Sequence, residues 1–379
     1  MRTFILLPLL LATLLPAALR AESENRVTLN IESTPEHPRN SEGAFATLKS
    51  GRILFYFCQF YSGSSDSDHD RVMEVHSDDQ GRTWSGARKV FDPGDALSLM
   101  DLSLLRLQDG RLAFVYGRKK TYQDCRPFVR FSGDDGATWT QPQAILNAPG
   151  YFCLHNDRLL QTASGRILLP TGFNRSFNAG LAIDSLDERG IVLWYYSDDA
   201  GATWKEAPIW WGAPFASPNG LQEPGTVELA DGSLYSWART DVGTQYEFRS
   251  RDNGETWSPP VPGNLISSLG PASVKRLPHS SALLAVYNDR SAFPVVRDGG
   301  KTHRFVRTPL TVAISRDGGR TWPFKKNIET DPQGQFCYTA VHFTDDAVLL
   351  GYSAGAAHGA HLGRLRIRRL ALANFPAAP

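Results

Sequence analysis

The sequence predicts an all-β protein, specifically a six-bladed β-propeller of four-stranded antiparallel blades. Three observations predict this fold: a turn motif that recurs five times, six apolar hairpins that alternate with it, and a composition that stays even along all 379 residues. A repeat of roughly 60 residues built from short strands is typical of propellers, in which each repeat forms one blade.

The recurring motif is Ser-x-Asp-x-Gly-x-Thr-Trp. Its five copies begin at Ser77, Ser132, Ser197, Ser250 and Ser315. Asp and Gly tolerate the backbone angles of a tight turn, and Asp, Ser and Thr side chains bond the backbone of the turn itself. We therefore expect five hairpin turns of the kind called Asp boxes, each anchored on the core by its Trp. These turns stabilise the fold and carry no chemistry.

The second repeat is a pair of apolar strands around a short polar turn. Its six copies span residues 44–57, 102–116, 158–172, 225–237, 272–287 and 339–352. The unbroken run at 52–57 is typical of a strand buried on both faces. The last repeat has no Asp box, so residues 362–372 should supply its third strand. Residues 26–32 should then add its outermost strand and close the ring.

The first 21 residues have the composition of a secretory signal peptide. A basic start at Arg2 precedes an apolar stretch over residues 4–19, and small residues around Ala21 offer a cleavage site. We therefore expect an exported protein, periplasmic or extracellular, whose residues 22–379 form one propeller domain. No later stretch is long and apolar enough to predict a membrane span.

Bulk composition restricts the classes of ligand. The net charge is +1, which gives no electrostatic case for nucleic acid or an anionic membrane. No spacing of residues indicates a metal site or a cofactor, and none indicates an oligomeric state. Four cysteines in an exported chain are compatible with one or two disulfides or with buried free thiols; they are Cys58, Cys125, Cys153 and Cys337.

Propeller geometry predicts which residues share the central mouth. Counting back nine residues from each hairpin turn gives one position per blade at the entrance to the innermost strand. That position is polar or charged in nearly every blade: Glu42, Asp101, Asn156 with Asp157 beside it, Glu223, and Cys337 followed by Tyr338. A ring of such groups at one mouth predicts a binding or active site. For Asp101 and Asn156, satisfying the backbone of a loop is an equally good interpretation.

Several arginines should reach the same rim. Arg239 and Arg118 end the second strand of their blades, and Arg126 and Arg307 precede the third strand. A guanidinium binds a carboxylate through two parallel hydrogen bonds, so this group of arginines predicts a carboxylated ligand.

These residues resemble the sialidase (neuraminidase) family, whose Asp boxes are also called BNR repeats, over essentially the whole chain after the signal peptide. Glu223 followed by Arg239 is similar to the family's glutamate and its partner arginine. Arg307, before a strand that leads into an Asp box, fits the family's next arginine. Tyr338, which opens the last blade, fits the nucleophilic tyrosine.

Two positions of the resemblance have alternative assignments. The family's acid/base aspartate lies in a loop before the first Asp box, where both Asp66 and Asp68 fit. The family's Arg-Ile-Pro motif is absent, so its carboxylate-binding arginine is either Arg39 or Arg126, and Glu42 is a further candidate for ligand contact.

The resemblance implies a retaining exo-glycosidase that releases sialic acid or a related 2-keto acid sugar from a glycan with a carboxylated terminal sugar. It implies a tyrosine nucleophile and no metal or cofactor. Two alternatives keep the same fold: another acidic-sugar hydrolase or polysaccharide lyase, and a propeller that binds glycans without catalysis.

Overall fold

Antiparallel β-strands make up nearly all regular structure in the computed structural model, which describes residues 24–177, 185–292, 306–356 and 362–376. The predicted signal peptide, residues 1–21, lies outside these residues. In the first half of the chain the strands are β1 (Arg26–Ile31), β2 (Arg39–Thr47), β3 (Ile53–Phe60), β4 (Asp70–Ser77), β5 (Arg88–Phe91), β6 (Ser98–Arg106), β7 (Leu112–Thr121), β8 (Asp124–Ser132), β9 (Gln143–Ala144), β10 (Gly150–Cys153), β11 (Leu160–Gln161), β12 (Ile167–Asn174), β13 (Ile191–Ser197) and β14 (Lys205–Glu206).

The second half continues the same pattern and ends in a short 3-10 helix, Leu372–Asn374. Its strands are β15 (Gln222–Glu228), β16 (Leu234–Arg239), β17 (Thr244–Ser250), β18 (Val261–Ile266), β19 (Ser273–Arg276), β20 (Leu283–Tyr287), β21 (Leu310–Ser315), β22 (Phe324–Glu329), β23 (Gly334–Phe343), β24 (Ala347–Ala356) and β25 (Leu365–Ala371). Among the described residues, no helix has the length and apolarity needed to cross a membrane.

The strands form antiparallel four-stranded sheets, which confirms the all-β prediction. Four of these sheets are separate, with the orders β2-β3-β4-β5, β15-β16-β17-β18, β19-β20-β21-β22 and β1-β25-β24-β23. The remaining strands form one nine-stranded sheet. It contains two groups, β6 to β9 and β11 to β14, because β10 pairs in parallel with β8 and antiparallel with β12. The sequence predicted separate units here and missed this bridging strand.

The N-terminal strand completes the sheet at the other end of the chain. Strand β1 pairs antiparallel with β25, with Arg26 opposite Arg369 and Ile31 opposite Leu365. Residues 26–32 and 362–372 thus occupy the sheet positions expected from the sequence. This pairing covers the free edge of β25, because an unpaired edge strand leaves backbone donors and acceptors unsatisfied.

The five Ser-x-Asp-x-Gly-x-Thr-Trp copies fold into turns with one hydrogen-bond pattern. In the first copy, the Ser77 hydroxyl donates to Asp79 at 2.8 Å, and the Thr83 hydroxyl and backbone N–H donate to the same carboxylate at 2.6 and 2.9 Å. The same three bonds occur at Asp134, Asp199, Asp252 and Asp317. Burial alone would raise the pKa of Asp79, but these donors lower it to about 2.

Apolar side chains fill the space between neighbouring sheets. Every residue of β3 is buried, as the continuous apolar run predicts. Phe45 and Phe55 of the first sheet pack with Leu349 and Ile367 of the last sheet in one cluster. The sheets that hold the two ends of the chain are thereby joined through a common core.

Gly351 tests how tightly that core is packed. A Cβ added at this position would lie 2.6 Å from the ring of Phe55 and 3.1 Å from that of Phe45. Gly351→Ala should therefore lower the free energy of unfolding by about 1–3 kcal/mol, the usual cost of overpacking. Urea unfolding measures this change.

Gly86→Ala is the matched control, because a Cβ at Gly86 would contact nothing within 4 Å. It should change the free energy of unfolding by less than about 0.5 kcal/mol, as surface substitutions usually do. Equal effects of the two substitutions would contradict the packing described for this interface.

Candidate active site

Four innermost strands carry a β-bulge at the same end, and each bulge holds a residue with a positive φ. The pairing register shifts at this point in β2, β6, β15 and β23. The left-handed residues are Glu42 (φ 52°), Asp101 (59°), Glu223 (47°) and Tyr338 (57°). Such angles cost non-glycine residues about 1–3 kcal/mol and concentrate at functional sites. A bulge also redirects a side chain out of the alternation of its strand.

In the third repeat the left-handed residue is Asp157, with φ 60°, and it precedes β11. Counting back from the hairpin turns predicted Asn156 in this repeat and Cys337 in the last one. In the structure, the residue with a positive φ lies one position later in each, at Asp157 and Tyr338. Tyr338 and Asp157 were the neighbours named beside those positions.

The bulges surround a cavity of about 160 Å³. Its lining brings together Glu42, Asp66, Asp101, Glu223, Arg239 and Tyr338 from the predicted set. Further lining residues come from loops and neighbouring strands, including Lys119, Tyr151, Glu188, Gln222, Met100 and Leu269. Within the described ranges, no group of three or more His, Cys, Asp or Glu side chains could hold a metal ion.

Arg39 lies beneath one side of this cavity and is only 3% exposed. Its guanidinium donates to Glu42 at 2.8 Å and to Asp66 at 2.5 Å, and it stacks 4.4 Å from the ring centre of Phe60. Burial disfavours its charge, but the two carboxylates raise its pKa above the ordinary value. For Glu42 burial dominates, and its pKa is raised although Arg39 opposes the shift.

Asp66 lies in the loop between β3 and β4, and 53% of its side chain is exposed. Partial burial would raise its pKa, but Arg39, Lys119 and Arg307 together lower it. Asp68 is placed differently, because its carboxylate accepts the backbone N–H of Ser65 at 2.7 Å within the same loop. Asp66 lines the cavity, whereas Asp68 stabilises the turn that presents it.

Glu223 and Arg239 form an ion pair at the wall of the cavity. Arg239 Nη1 lies 3.0 Å from Glu223 Oε2, and its Nη2 donates to Gln222 Oε1 at 2.8 Å. Both side chains are largely buried. Burial raises the pKa of Glu223, and Arg239 and Arg307 offset only part of that shift. Glu223 is consequently a stronger base than an exposed glutamate.

Tyr338 has a charged group and a neutral aromatic group against its ring. The guanidinium carbon of Arg307 lies 5.0 Å from the ring centre, and the ring of His155 lies at 5.2 Å. Arg307 also donates to the sulfur of Cys337 at 2.9 Å. Burial and then Glu223 raise the pKa of the Tyr338 hydroxyl, while Arg307 and Arg239 oppose the rise. The hydroxyl is protonated unless a base removes its proton.

Asp101 shares the cavity with these groups and contributes to its charge balance. Its carboxylate accepts the backbone N–H of Leu154 at 3.2 Å. Burial, followed by the nearby carboxylates of Glu42 and Glu223, raises the pKa of Asp101 well above its usual value. Burial and the neighbouring carboxylates thus both favour the protonated form of Asp101.

Asn156 and Asp157 connect different sheets beneath the cavity. The Asn156 amide donates to the backbone oxygens of Gly43 at 2.7 Å and Tyr338 at 3.1 Å. Asp157 accepts the N–H of Val341 at 2.9 Å and pairs with Lys275 at 3.1 Å. These two residues hold the mouth together rather than line it.

Two arginines that were predicted to reach the rim, Arg126 and Arg118, do not line the cavity. Arg126 donates to Asp124 at 2.7 Å, two residues away on its own strand, and it is absent from the cavity lining described above. Arg118 pairs with Asp95. The position beside Glu42 and Asp66 is occupied by Arg39.

All four cysteines are free thiols, and Cys125 and Cys153 line the cavity.

Lys119 is a site residue that the sequence analysis missed. It is 2% exposed, its ammonium donates to the backbone oxygen of Asp66 at 2.9 Å, and it lies 3.9 Å from the ring centre of Tyr122. The search for basic residues at the end of the second strand of each repeat selected Arg118, which is the residue next to Lys119. Because the alternation of side chains reverses at each residue, the neighbour of Arg118 is the one that faces the cavity.

Comparison with known proteins identifies the family of this chain. The family model for the BNR repeat-like domain matches residues 54–351. The chain belongs to the BNR repeat-like domain family. Together with its curated relatives and structural neighbours, this match makes the chain a sialidase-family BNR protein.

The relatives of this BNR protein are distant in sequence. A sialidase of Bacteroides fragilis (strain YCH46) is 23% identical over 354 residues, which cover 82% of this chain and 59% of that protein. A sialidase of Micromonospora viridifaciens is 24% identical over 332 residues, which cover 79% of this chain and 47% of the relative. The chain thus spans about half the length of these two curated relatives.

Solved structures share the fold. The intramolecular trans-sialidase from Ruminococcus gnavus in complex with oseltamivir carboxylate superposes with a TM-score of 0.69 at 15% identity, covering 95% of this chain and 99% of that chain. At this identity the likeness shows the fold alone, which is β-propeller-like.

The contact between Arg39 and Asp66 predicts how the pKa of Asp66 depends on Arg39. Arg39→Met should raise the pKa of Asp66, because it removes a positive charge and a hydrogen-bond donor that contact its carboxylate. Carboxyl-carbon NMR of Asp66 through a pH titration measures the shift.

Arg126→Met is the matched control for this titration. Its guanidinium contacts Asp124 instead, so the pKa of Asp66 should not change. The placement of Arg39 is contradicted if Asp66 titrates alike in the two variants.

Proposed function

We propose that this protein is a retaining exo-glycosidase of the sialidase type, which releases terminal sialic acid or a related 2-keto acid sugar from glycans. The observation that carries the proposal is the convergence of Tyr338, Glu223 and Arg239 on one cavity. Arg307 stacks on Tyr338, and Arg39 pairs with Asp66.

We further propose the finer architecture and the location. The six hairpins with their paired outer strands correspond to six blades, with β10 as a local link between the second and third, and the five Asp-containing turns to Asp boxes. Residues 1–21 act as a signal peptide, and residues 22–379 form one exported domain.

The arginines favour a substrate that carries a carboxylate. Arg239, Arg307 and Arg39 are each largely buried near the cavity, where a guanidinium is expensive to keep without an anionic partner. Their present partners are carboxylates, the amide oxygen of Gln222 and the thiol of Cys337. A substrate carboxylate offers the bidentate geometry that guanidinium groups prefer.

Tyrosine is suited to attack an anomeric carbon that bears a carboxylate. An Asp or Glu nucleophile would be repelled by that charge, whereas the Tyr338 hydroxyl approaches neutral. Glu223, a strong base because of its burial, takes the hydroxyl proton as the bond to the anomeric carbon forms. Arg307 and Arg239 stabilise the developing phenolate, since both already oppose the rise in the pKa of Tyr338.

Asp66 is the better candidate for the acid/base, because it lines the cavity and Asp68 does not. Its low pKa in the free protein comes from Arg39. A substrate carboxylate that binds Arg39 weakens this pairing and adds negative charge nearby, so the pKa of Asp66 rises on binding. Protonated Asp66 then protonates the leaving oxygen, and its carboxylate afterwards activates water.

Tyr338→Phe tests the nucleophile directly. It should lower kcat on a fluorogenic sialic acid substrate by at least about 100-fold while ligand binding is kept, because only the attacking oxygen is removed. Steady-state kinetics and equilibrium binding of the sugar provide the two measurements.

Tyr246→Phe is the control, because Tyr246 packs on Phe215 away from the cavity. Its kinetics should match the wild type. Fluorogenic substrates with the deaminated sugar and with glucuronic acid extend the assay to other acidic sugars. Binding of the sugar without turnover of any substrate by the wild type would refute the enzymatic proposal.

The pH dependence of kcat/KM tests Glu223. A base must be deprotonated, and the pKa of Glu223 is raised, so activity should fall on the acidic side at a higher pH than for an ordinary glutamate. Glu223→Gln should lower kcat/KM by about 10²–10⁴-fold and remove this acidic limb.

Glu228→Gln on the same strand provides the comparison. Glu228 accepts the backbone N–H of Ala163 at the far end of β15. Its pH profile should equal that of the wild type. An acidic limb that persists unchanged in Glu223→Gln would rule out Glu223 as the base.

A further inference from the structure

A second, larger cavity lies at the other end of the strands. Its volume is about 1000 Å³, and it opens between the fourth hairpin turn and the fifth Asp-containing turn. Strand β15 runs from Glu223 at the active-site end towards Gly232 at this cavity. The cavity is therefore separate from the candidate active site by the length of a strand.

Comparison of equivalent positions in the repeats shows an unusual charge here. In the first repeat, Arg52 after the hairpin turn donates to both oxygens of Asp78, the second residue of the turn motif, at 2.7 and 2.9 Å. In the third repeat, Arg166 and Asp198 form the same bidentate pair at 2.6 and 3.0 Å. These two repeats neutralise the arginine internally.

The fourth repeat reverses this arrangement. Ser233 stands where the first three repeats have an arginine, and Arg251 stands where the first and third repeats have the aspartate. The fifth repeat also has an arginine, Arg316, at the second position of its turn motif. Ser233 and Arg251 both line the large cavity, and Arg251 is exposed. Throughout the described part of the chain, no carboxylate oxygen lies within ion-pair distance of Arg251.

Arg320 in the fifth turn differs in the same way from its equivalent. Arg82 in the first turn donates to the backbone oxygen of Asp79 at 3.0 Å and also pairs with Asp346 at 2.7 Å. Arg320 makes the first contact, to Asp317 at 3.2 Å. It takes part in no ion pair among the residues that the structure describes.

The carboxylates of the cavity are already occupied. Asp231 accepts the backbone N–H and the hydroxyl of Ser233. Asp317 is held by its own turn, and Glu247 accepts the hydroxyl of Tyr235 at 3.2 Å and lies 3.3 Å from Arg249. Hydrogen bonds from Ser233, with a smaller contribution from the charge of Arg251, lower the pKa of Asp231. Among the described residues no carboxylate forms an ion pair with Arg251 or Arg320, so both guanidinium groups can contact a ligand in the cavity.

We propose that this cavity binds a segment of an anionic oligosaccharide, with Arg251 and Arg320 contacting its sulfate or carboxylate groups. Planar guanidinium groups bind both anions through two hydrogen bonds. Serine hydroxyls and the engaged carboxylates around them supply partners for sugar hydroxyls, and the volume is at the upper end for small-ligand sites. The net charge of +1 disfavours nucleic acid as the ligand. This site is independent of the proposed hydrolysis.

Binding of two defined tetrasaccharides at a fixed ionic strength of about 0.15 M, where the Debye length is about 8 Å, tests the proposal. A heparin-derived tetrasaccharide carries sulfates and carboxylates, whereas one from hyaluronan carries carboxylates alone, so the pair distinguishes the two anions. Isothermal titration calorimetry of the full chain should detect binding of at least one. In R251S/R320S the affinity should fall by at least about tenfold, because two charge-assisted contacts are lost.

The double variant R52S/R82S is the matched control. It removes the same charge from equivalent positions whose arginines are neutralised by Asp78 and Asp346. It should bind the tetrasaccharide within about twofold of the wild type, since general charge effects are weak at a screened surface. Thermal unfolding of both variants verifies that each is folded.

Three results would overturn the proposal: no binding of either tetrasaccharide, equal weakening in the two double variants, or tighter binding of a single-stranded oligonucleotide that displaces the sugar. Hydrolysis of the fluorogenic sialoside is measured in parallel and should be unchanged in R251S/R320S. Failure of the second site and failure of the proposed catalysis are thereby distinguished.

Discussion

The bulges of the innermost strands β2, β6, β15 and β23 give the cavity its chemistry. In a regular strand, the side chains at the mouth would alternate between the two neighbouring interfaces, and those interfaces are apolar. The extra residue of each bulge, with its positive φ, leaves that alternation and turns a carboxylate or a phenol towards the cavity. The backbone strain is tolerated because each bulge is fixed by paired strands on its outer side and by neighbouring bulges on its inner side.

The buried carboxylates and arginines around the cavity influence one another's pKa values. Burial raises the pKa values of Glu42, Asp101 and Glu223, and the charge of Glu223 adds to the rise at Glu42 and at Asp101. Arginines oppose the rise at Glu42 and at Glu223. A single buried carboxylate or guanidinium would cost several kcal/mol, so these groups are stable only together. Asn156 and Asp157 add neutral and ionic links between sheets that the sequence places far apart.

The repeats resemble one another at the turn end of the strands and differ in their side chains at the mouth end. At the turn end, the same hydrogen bonds recur in five copies, and the arginines of the first and third repeats are neutralised within their own repeat. Departures from the repeat are therefore informative there, as at Arg251. At the mouth end the repeats share a backbone conformation but differ in side chain, because each contributes a different group to one site.

Local sequence determined the strands, the turns and the positions of the mouth residues. Asp, Gly, Ser and Thr form the turn motif through bonds within eight residues, and apolar runs such as that of β3 identify buried strands without reference to the rest of the chain. Counting from the turns located Glu42, Asp101 and Glu223, because the same number of residues separates the bulge from the hairpin turn in these three repeats.

Tertiary structure decided which of the candidate residues meet. Asp66 rather than Asp68 lines the cavity because the irregular loop between β3 and β4 places it there, and no periodicity encodes a loop. Arg39, at the start of β2, rather than Arg126 lies beside it, because this loop folds back over β2. The bridging strand β10 and the burial of Lys119 between aromatic rings likewise depend on contacts between distant segments. Long-range packing fixes these positions, and a single sequence contains no local signal for it.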